Sequence, residues 1–223
     1  LIQKSDVCVC NSEYLVQYCR KYNPNTYNVG QGCDFEDYKD MNCARPDDLL
    51  SVPGKIIGYV GSLNSARLDV DIIINIAEHL PDFSIVLGGP EGDVFKSSRL
   101  QTSRNVFFLG QKSVSELPNY INSFDVCINP QLLNEITVGN YPRKIDEYLA
   151  MGKPVVATRT ETMGFFKDFT YLAADGKEFI DLIKRAVLEN SIDLYRGRQN
   201  FALQHTWENS VAKIYQAINS IKQ

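Results

Sequence analysis

The sequence predicts an α/β protein built on a parallel sheet that helices cover on both faces. Three observations carry this. From Gly54 onward, short β-rich runs bounded by turn residues alternate with amphipathic helical windows, the pattern of strand–helix–strand units. The first and fourth of those runs are almost wholly apolar, as strands buried on both faces must be. With 223 residues, 44% hydrophobic and 22% charged, the chain is long enough to bury one full core.

In chain order, the sequence opens at Leu1 without a methionine and soon enters an alternating run, Asp6 to Cys10, read as a strand in a chain that starts inside a longer protein. Ser12 is placed to cap a helix reaching Tyr22, Asn23-Pro24-Asn25 ends it, and a second short strand runs from Thr26 to Val29. Strand, helix and strand alone cannot enclose a core. From Gly30 to Pro53 the composition turns to Gly, Asp, Asn and Pro, and this stretch reads as a linker.

Six strands follow: Ile56–Val60, Phe83–Leu87, Val106–Leu109, Val126–Asn129, Val155–Thr158 and Thr170–Ala173. The helix after the first carries Ile72, Ile73, Ile76, Ala77 and Leu80 as one stripe, and the helix after the sixth carries Phe179, Leu182, Ile183, Ala186 and Val187. Two helices close the chain, the last from Trp207 to about Lys222 with Val211, Ile214, Tyr215, Ile218 and Ile221 aligned. Right-handed strand–helix–strand units repeated in this way make a doubly wound, Rossmann-like sheet, here preceded by a small amino-terminal remnant.

Composition excludes several classes. A net charge of −4 argues against nucleic acid as a partner. The greasiest helical stretch, Val70 to Ala77, is broken by Asp71 and Asn75, so no membrane span is expected. The six cysteines form no CxxC pair, and only His79 and His205 could join them in a zinc site. They read as reduced thiols packed as small hydrophobes, which points to the cytoplasm and to no metal.

In doubly wound sheets, ligands bind at the carboxyl ends of the strands, and four loops there stand out. The first runs from Gly61-Ser62 through Asn64 to Arg67, where a glycine admits a ligand to the backbone and a guanidinium can grip a diphosphate. A tight turn beside a solvated cation explains the same residues. The GxGxxG spacing of dinucleotide-dependent oxidoreductases is absent. Asp69-Val70-Asp71 matches a metal-binding DxD, but at a helix start its acids are explained by capping and the helix dipole. The second loop, with Gly89, either lets a phosphate or sugar meet backbone amides or simply makes a sharp turn, and the third offers Gln111 as a main-chain contact for a nucleobase.

The fourth loop is the most informative. A buried strand ends at Asn129-Pro130, and a polar loop passes Glu135 and Gly139-Asn140-Tyr141. Pro142 then opens a helix that Gly152 and Pro154 stop. Ile145, Tyr148 and Leu149 form its buried side, while Lys144 and Glu147 share a side toward the strand ends. Free amides at the helix start and Lys144 suit phosphates, and Glu147 suits the two hydroxyls of a ribose. An exposed Arg143–Glu147 pair four residues apart is the plain alternative.

These residues together resemble a known family. Gly61-Ser62 with Arg67-Leu68-Asp69, Leu87-Gly88-Gly89-Pro90, Asn105 to Gly110, Phe124-Asp125-Val126 with Pro130, and Pro142, Lys144 and Glu147-Tyr148-Leu149-Ala150 followed by Gly152 to Ala157 resemble the carboxyl-terminal domain of bacterial retaining GT-B glycosyltransferases, family-four-like and of group 1. The likeness runs from about Gly54 to the end. Ser5-Asp6-Val7, Asn11-Ser12-Glu13 and Gly32-Cys33-Asp34 look like the last segment of the amino-terminal domain and the crossing between domains.

The resemblance implies three parts: residues 1–53 as a remnant of the acceptor domain with its linker, 54–206 as the nucleotide-sugar (donor) domain, and 207–223 as a helix that packs on a missing domain and so exposes apolar surface here. It implies transfer of a sugar, of hexosyl type, from a nucleotide diphosphate to a glycan or lipid-linked acceptor in surface polysaccharide biosynthesis. Arg67 and Lys144 would be the catalytic cations that neutralise the departing diphosphate in place of a metal. Gly61, Ser62, Gly89, Gln111, Asn140, Tyr141, Pro142 and Glu147 would bind the donor, with Glu147 on the ribose. No cofactor is expected. The acceptor, and any peripheral association with the inner face of the membrane, would come through the missing domain, leaving this fragment inactive alone. One departure stands out: where many relatives carry a first glutamate eight positions before Glu147, this chain has Gly139, and Glu135 is the nearby substitute. A nucleotide-binding module without catalysis fits that departure. A nucleotide-sugar 2-epimerase shares the architecture, but the loops hold no histidine or paired carboxylate for its acid–base chemistry.

Overall fold

A computed structural model describes residues 1–38 and 44–221, and of Asp37 only its backbone. Cys43 and Lys222, at which one of the six thiols and the end of the last helix were expected, lie outside the described residues. Two sheets organise the rest. The small one pairs β1 (Cys8–Cys10) with β2 (Thr26–Asn28) in parallel, joined by α1 (Glu13–Arg20). Ser12 caps α1 as its sequence position predicts, its hydroxyl accepting from the Leu15 amide.

The large sheet has six parallel strands: β3 (Lys55–Val60), β4 (Phe83–Gly88), β5 (Val106–Gly110), β6 (Val126–Asn129), β7 (Val155–Thr158) and β8 (Tyr171–Ala173). Their spatial order is β5-β4-β3-β6-β7-β8. The chain winds outward from β3 to β5, returns through α4 (Leu117–Asn122), and winds outward again on the other side. The direction reverses between β3 and β6, paired at Ile57↔Val126 and Gly58↔Cys127. In doubly wound sheets such a reversal opens a crevice at the strand ends.

Alternation along the strands divides the core in two. Ile57, Ile85, Val126, Ile128 and Val156 face α2 (Val70–His79), α3 (Asp93–Ser97) and α6 (Gly176–Leu188), while Ile56, Val86, Cys127, Val155 and Ala157 face α4, α5 (Lys144–Ala150) and α7 (Ile192–Ala202). The stretch from Gly30 to Pro53 differs from a free linker. Among its described residues, Cys33, Phe35, Tyr38, Leu49 and Val52 are buried in that second layer, so this strap is anchored at those points.

The strap is tied to the residues before α8 (Trp207–Ser220), and the amino-terminal unit to α8 itself. The Cys33 amide donates to the His205 carbonyl at 2.9 Å, and the Ser220 hydroxyl to Tyr27 Oη at 2.8 Å. On α8 the predicted single stripe is split. Ile214 and Ile218 turn partly inward, while Val211 and Tyr215 are exposed, as is Trp207. No helix among the described residues is long and apolar enough to cross a membrane. The five described cysteines are free thiols.

Candidate functional site

The crevice between β3 and β6 holds a cleft of about 360 Å³. Its wall includes Gly61, Ser62 and Arg67 from the loop after β3, Asn129 and Gln131 from the end of β6, Asn140, Tyr141 and Pro142 from the following loop, and Lys144 and Glu147 from α5. Eight of the ten residues chosen from the sequence therefore meet in one place.

Lys144 is the most tightly held. Its Nζ donates to Tyr59 Oη at 2.6 Å and stands 4.2 Å from the centroid of the Tyr59 ring, a cation–π seat. Tyr59 Oη passes its own proton to the Ser62 carbonyl at 3.2 Å. Burial pulls the ammonium's pKa down to about 8, with the Arg67 charge adding to that pull and Glu147 opposing it. Arg67 and Lys144 thus line one cleft, with the Glu147 carboxylate beside them.

Glu147, one turn on, donates nothing and accepts from Arg143 Nε at 3.1 Å. The plain surface pair is present, yet its acid end is only 12% exposed against 56% for the arginine, and it lines the cleft. Burial pushes the Glu147 carboxyl up while Arg143 and Lys144 draw it back. The helix is set against the sheet by Tyr148, whose buried hydroxyl accepts from the Val60 amide at 3.0 Å. A turn at Pro142–Arg143 leads into the helix, which starts at Lys144, two residues later than Pro142 suggests.

Asp146 on the far side of α5 is fully buried. It accepts from Tyr141 Oη at 2.7 Å and bonds His205 Nδ1 at 2.7 Å, with Cys33 Sγ at 3.8 Å. The loop before α5, the strap and the α7–α8 junction are thereby fastened to one carboxylate.

Two expected contacts lie elsewhere. Gln111 is exposed and outside the cleft lining. Gly89 is buried one layer back, at φ +146°, where a Cβ would stand 1.9 Å from the Gly61 carbonyl oxygen. Its part is to let the two backbones touch. Glu135 is also exposed and outside the lining. At Gly139 a Cβ would meet the Tyr14 ring at 2.4 Å, and the Gly139 carbonyl accepts from Ser12 Oγ at 2.9 Å. The amino-terminal unit fills the space a side chain there would take. Asp69 caps α2, its carboxylate accepting from the Ile72 amide at 3.1 Å. Among the described residues no three metal-ligating side chains cluster.

The contact with Tyr14 makes a prediction. Gly139→Glu should cost about 1–3 kcal/mol by overpacking. The added change Tyr14→Ala should return most of that loss in a double-mutant cycle read by urea unfolding. Additive effects would show that the ring simply swings aside.

Sequence reasoning missed Tyr59, Asn129, Gln131 and Thr137, all of which line the cleft. Only Asn129 had a signal, a polar residue closing an apolar strand.

The chain has relatives among known proteins. A Bacillus subtilis (strain 168) protein named as a teichuronic acid biosynthesis glycosyltransferase, TuaH, is 28% identical over 221 residues, covering 93% of this chain and 55% of its own length. The chain thus spans about half of that relative. Among solved structures, Anabaena HepE in complex with UDP superposes with a TM-score of 0.79 at 18% identity, over 97% of this chain and 64% of HepE. Sucrose-phosphate synthase from Thermosynechococcus elongatus gives 0.77 at 17%, over 99% and 59%. At such identities the likeness is one of fold, the Rossmann-like carboxyl-terminal half of GT-B. The sequence model of the family described as glycosyl transferases group 1 matches residues 54–188, and the chain belongs to that family.

Proposed function

We propose that this chain holds the nucleotide-sugar donor of a glycosyltransferase that builds surface polysaccharide, passing a hexosyl unit to a glycan or lipid-linked acceptor. The observation that carries this is the convergence of Arg67, Lys144 and Glu147 on one cleft at the reversal point of the sheet. In this reading the two cations take the diphosphate and Glu147 the ribose. As the bond from the anomeric carbon to phosphate oxygen breaks, charge grows on that oxygen, so the cations favour the transition state over the ground state. They do so in place of a metal. Two relatives support the reading: HepE was crystallised with UDP and with UDP-glucose, and TuaH is named for teichuronic acid biosynthesis. The acceptor, and contact with the inner face of the membrane, belong to the half of the relatives' length that this chain does not span. The protein works in the cytoplasm, and the chain alone binds donor without transferring it.

Calorimetry with uridine and guanosine diphosphates tests the assignment. One of them should bind weakly, and Arg67→Ala or Glu147→Ala should weaken it at least about tenfold, the loss expected for one charge-assisted contact. Failure of every diphosphate to bind, or variants that bind like the parent, would sink the reading. A module without catalysis has Gly139 in its favour; activity of the full-length parent decides against it.

A further inference from the structure

β6 is apolar and fully buried until its last residue, Asn129, which is itself only 3% exposed and lines the cleft. Its Nδ2 has no hydrogen-bond partner. The chain satisfies its other inward-facing amides well. Asn23 Nδ2 donates to the carbonyls of Ile2 and Ser5, at 3.1 and 2.6 Å. Asn105 Nδ2 donates to the carbonyls of Ala77, Leu80 and Phe83. A buried donor left unpaired is rare because its lost hydration is not repaid. Among the described residues Thr158 Oγ1 is the other such atom, and it lies outside the cleft lining.

The groups around Asn129 are already engaged. Gln131 Nε2 donates to the Thr137 carbonyl at 2.6 Å, and Thr137 Oγ1 accepts from the Asn134 amide and donates to the Leu132 carbonyl. Asn129, Gln131, Thr137 and Asn140 make an uncharged wall on β6 and the loop leaving it, whereas the charged side chains of the cleft come from the β3 loop and the start of α5. A cation wall suits phosphate, and an amide wall suits neutral hydroxyls.

We propose that Asn129 is a specificity-determining residue for the transferred sugar, its Nδ2 donating to a sugar hydroxyl oxygen at the floor of the cleft. This rests on the nucleotide-sugar reading above. It also explains why a carboxamide ends an apolar strand: the amide is kept for the ligand at the expense of the folded chain.

The experiment compares the intact chain with Asn129→Leu, an apolar residue of nearly the same shape. Affinities are measured for UDP and GDP and for UDP-glucose, UDP-galactose, UDP-N-acetylglucosamine and GDP-mannose, together with a thermal melt. In the parent, one sugar-bearing probe should bind at least about tenfold more tightly than its bare diphosphate. Asn129→Leu should melt higher, lose that sugar increment, and keep its affinity for the bare diphosphate within about threefold. Asn129→Thr, which retains a donor, should keep part of the increment, and it carries the test if the leucine variant does not fold. Equal loss for diphosphate and sugar probes overturns the assignment to the sugar. So does an increment unchanged in the variant, or no increment in the parent. A parent that binds none of the six probes fails the nucleotide-sugar reading itself, and the proposal falls with it.

Discussion

Lys144→Met is expected to weaken binding of the favoured nucleoside diphosphate by about a hundredfold, roughly 2.7 kcal/mol, and at the same time to raise the thermal midpoint at neutral pH. Both follow from the seat of the ammonium. Its Nζ is fixed on Tyr59 and partly shut off from water, and its pKa falls from 10.5 to about 8. The sign follows from proton counting. Between pH 8 and 10.5 the unfolded chain holds more protons at this lysine than the folded one does, so stability rises with pH across that window. Below about pH 8 the whole penalty is present. Removing the charge relieves about 1–3 kcal/mol, which for a chain of this length is about 2–12 °C in the midpoint.

The same lysine gives binding a pH signature. A diphosphate favours the ammonium, so affinity should be highest below pH 8 and decline above it. At pH 8 about half of the lysines are neutral, and complex formation should take up about half a proton. Calorimetry in buffers of different ionisation enthalpy measures that uptake. Unchanged affinity in Lys144→Met, or a parent that binds at pH 8 with no proton uptake, would remove Lys144 from the site.

How far the sequence foretells this site depends on the distance over which each contact acts. β3 and β6 were legible because continuous apolar runs between turn residues leave little choice, and the order of strands and helices then implies a crevice at their ends. Lys144 and Glu147 were legible because three residues on a helix fix a common side. The strap was not, since Phe35 and Tyr38 stand singly among polar residues and Leu49-Leu50 with Val52 is too short a group to show a period. Nor were the pairs Tyr14 with Gly139 or Asp146 with His205, which the fold joins across long stretches of chain. Gly89 shows the limit most clearly: a glycine after a strand signals a turn or a close approach, and only the folded chain shows which backbone approaches.

That approach makes Gly89→Ala the most damaging small change in the cleft's support. Two strains add. The residue sits at φ +146°, which L side chains rarely adopt, at a cost of about 1–3 kcal/mol. The new Cβ would also press to 1.9 Å from the Gly61 carbonyl oxygen, and backbone cannot rotate away as a flexible side chain can, adding about 1–3 kcal/mol. Gly61 cannot yield freely. Its amide donates to the Gly88 carbonyl at 2.8 Å, and Gly89 in turn donates to Gly110 at 2.8 Å. On its other side a Cβ at Gly61 would already lie 3.0 Å from Lys144 Nζ. A shift of this backbone therefore moves the cation's seat. Gly89→Ala should lower stability by about 2–6 kcal/mol in urea unfolding, against the roughly 5–15 kcal/mol a domain has to lose, and weaken diphosphate binding in whatever fraction stays folded. Gly110→Ala has a left-handed φ of +66° but nothing within 4 Å of its Cβ, so it should show the conformational cost alone. Equal losses for the two variants would mean that backbone strain, not the contact with Gly61, sets the requirement for glycine at position 89.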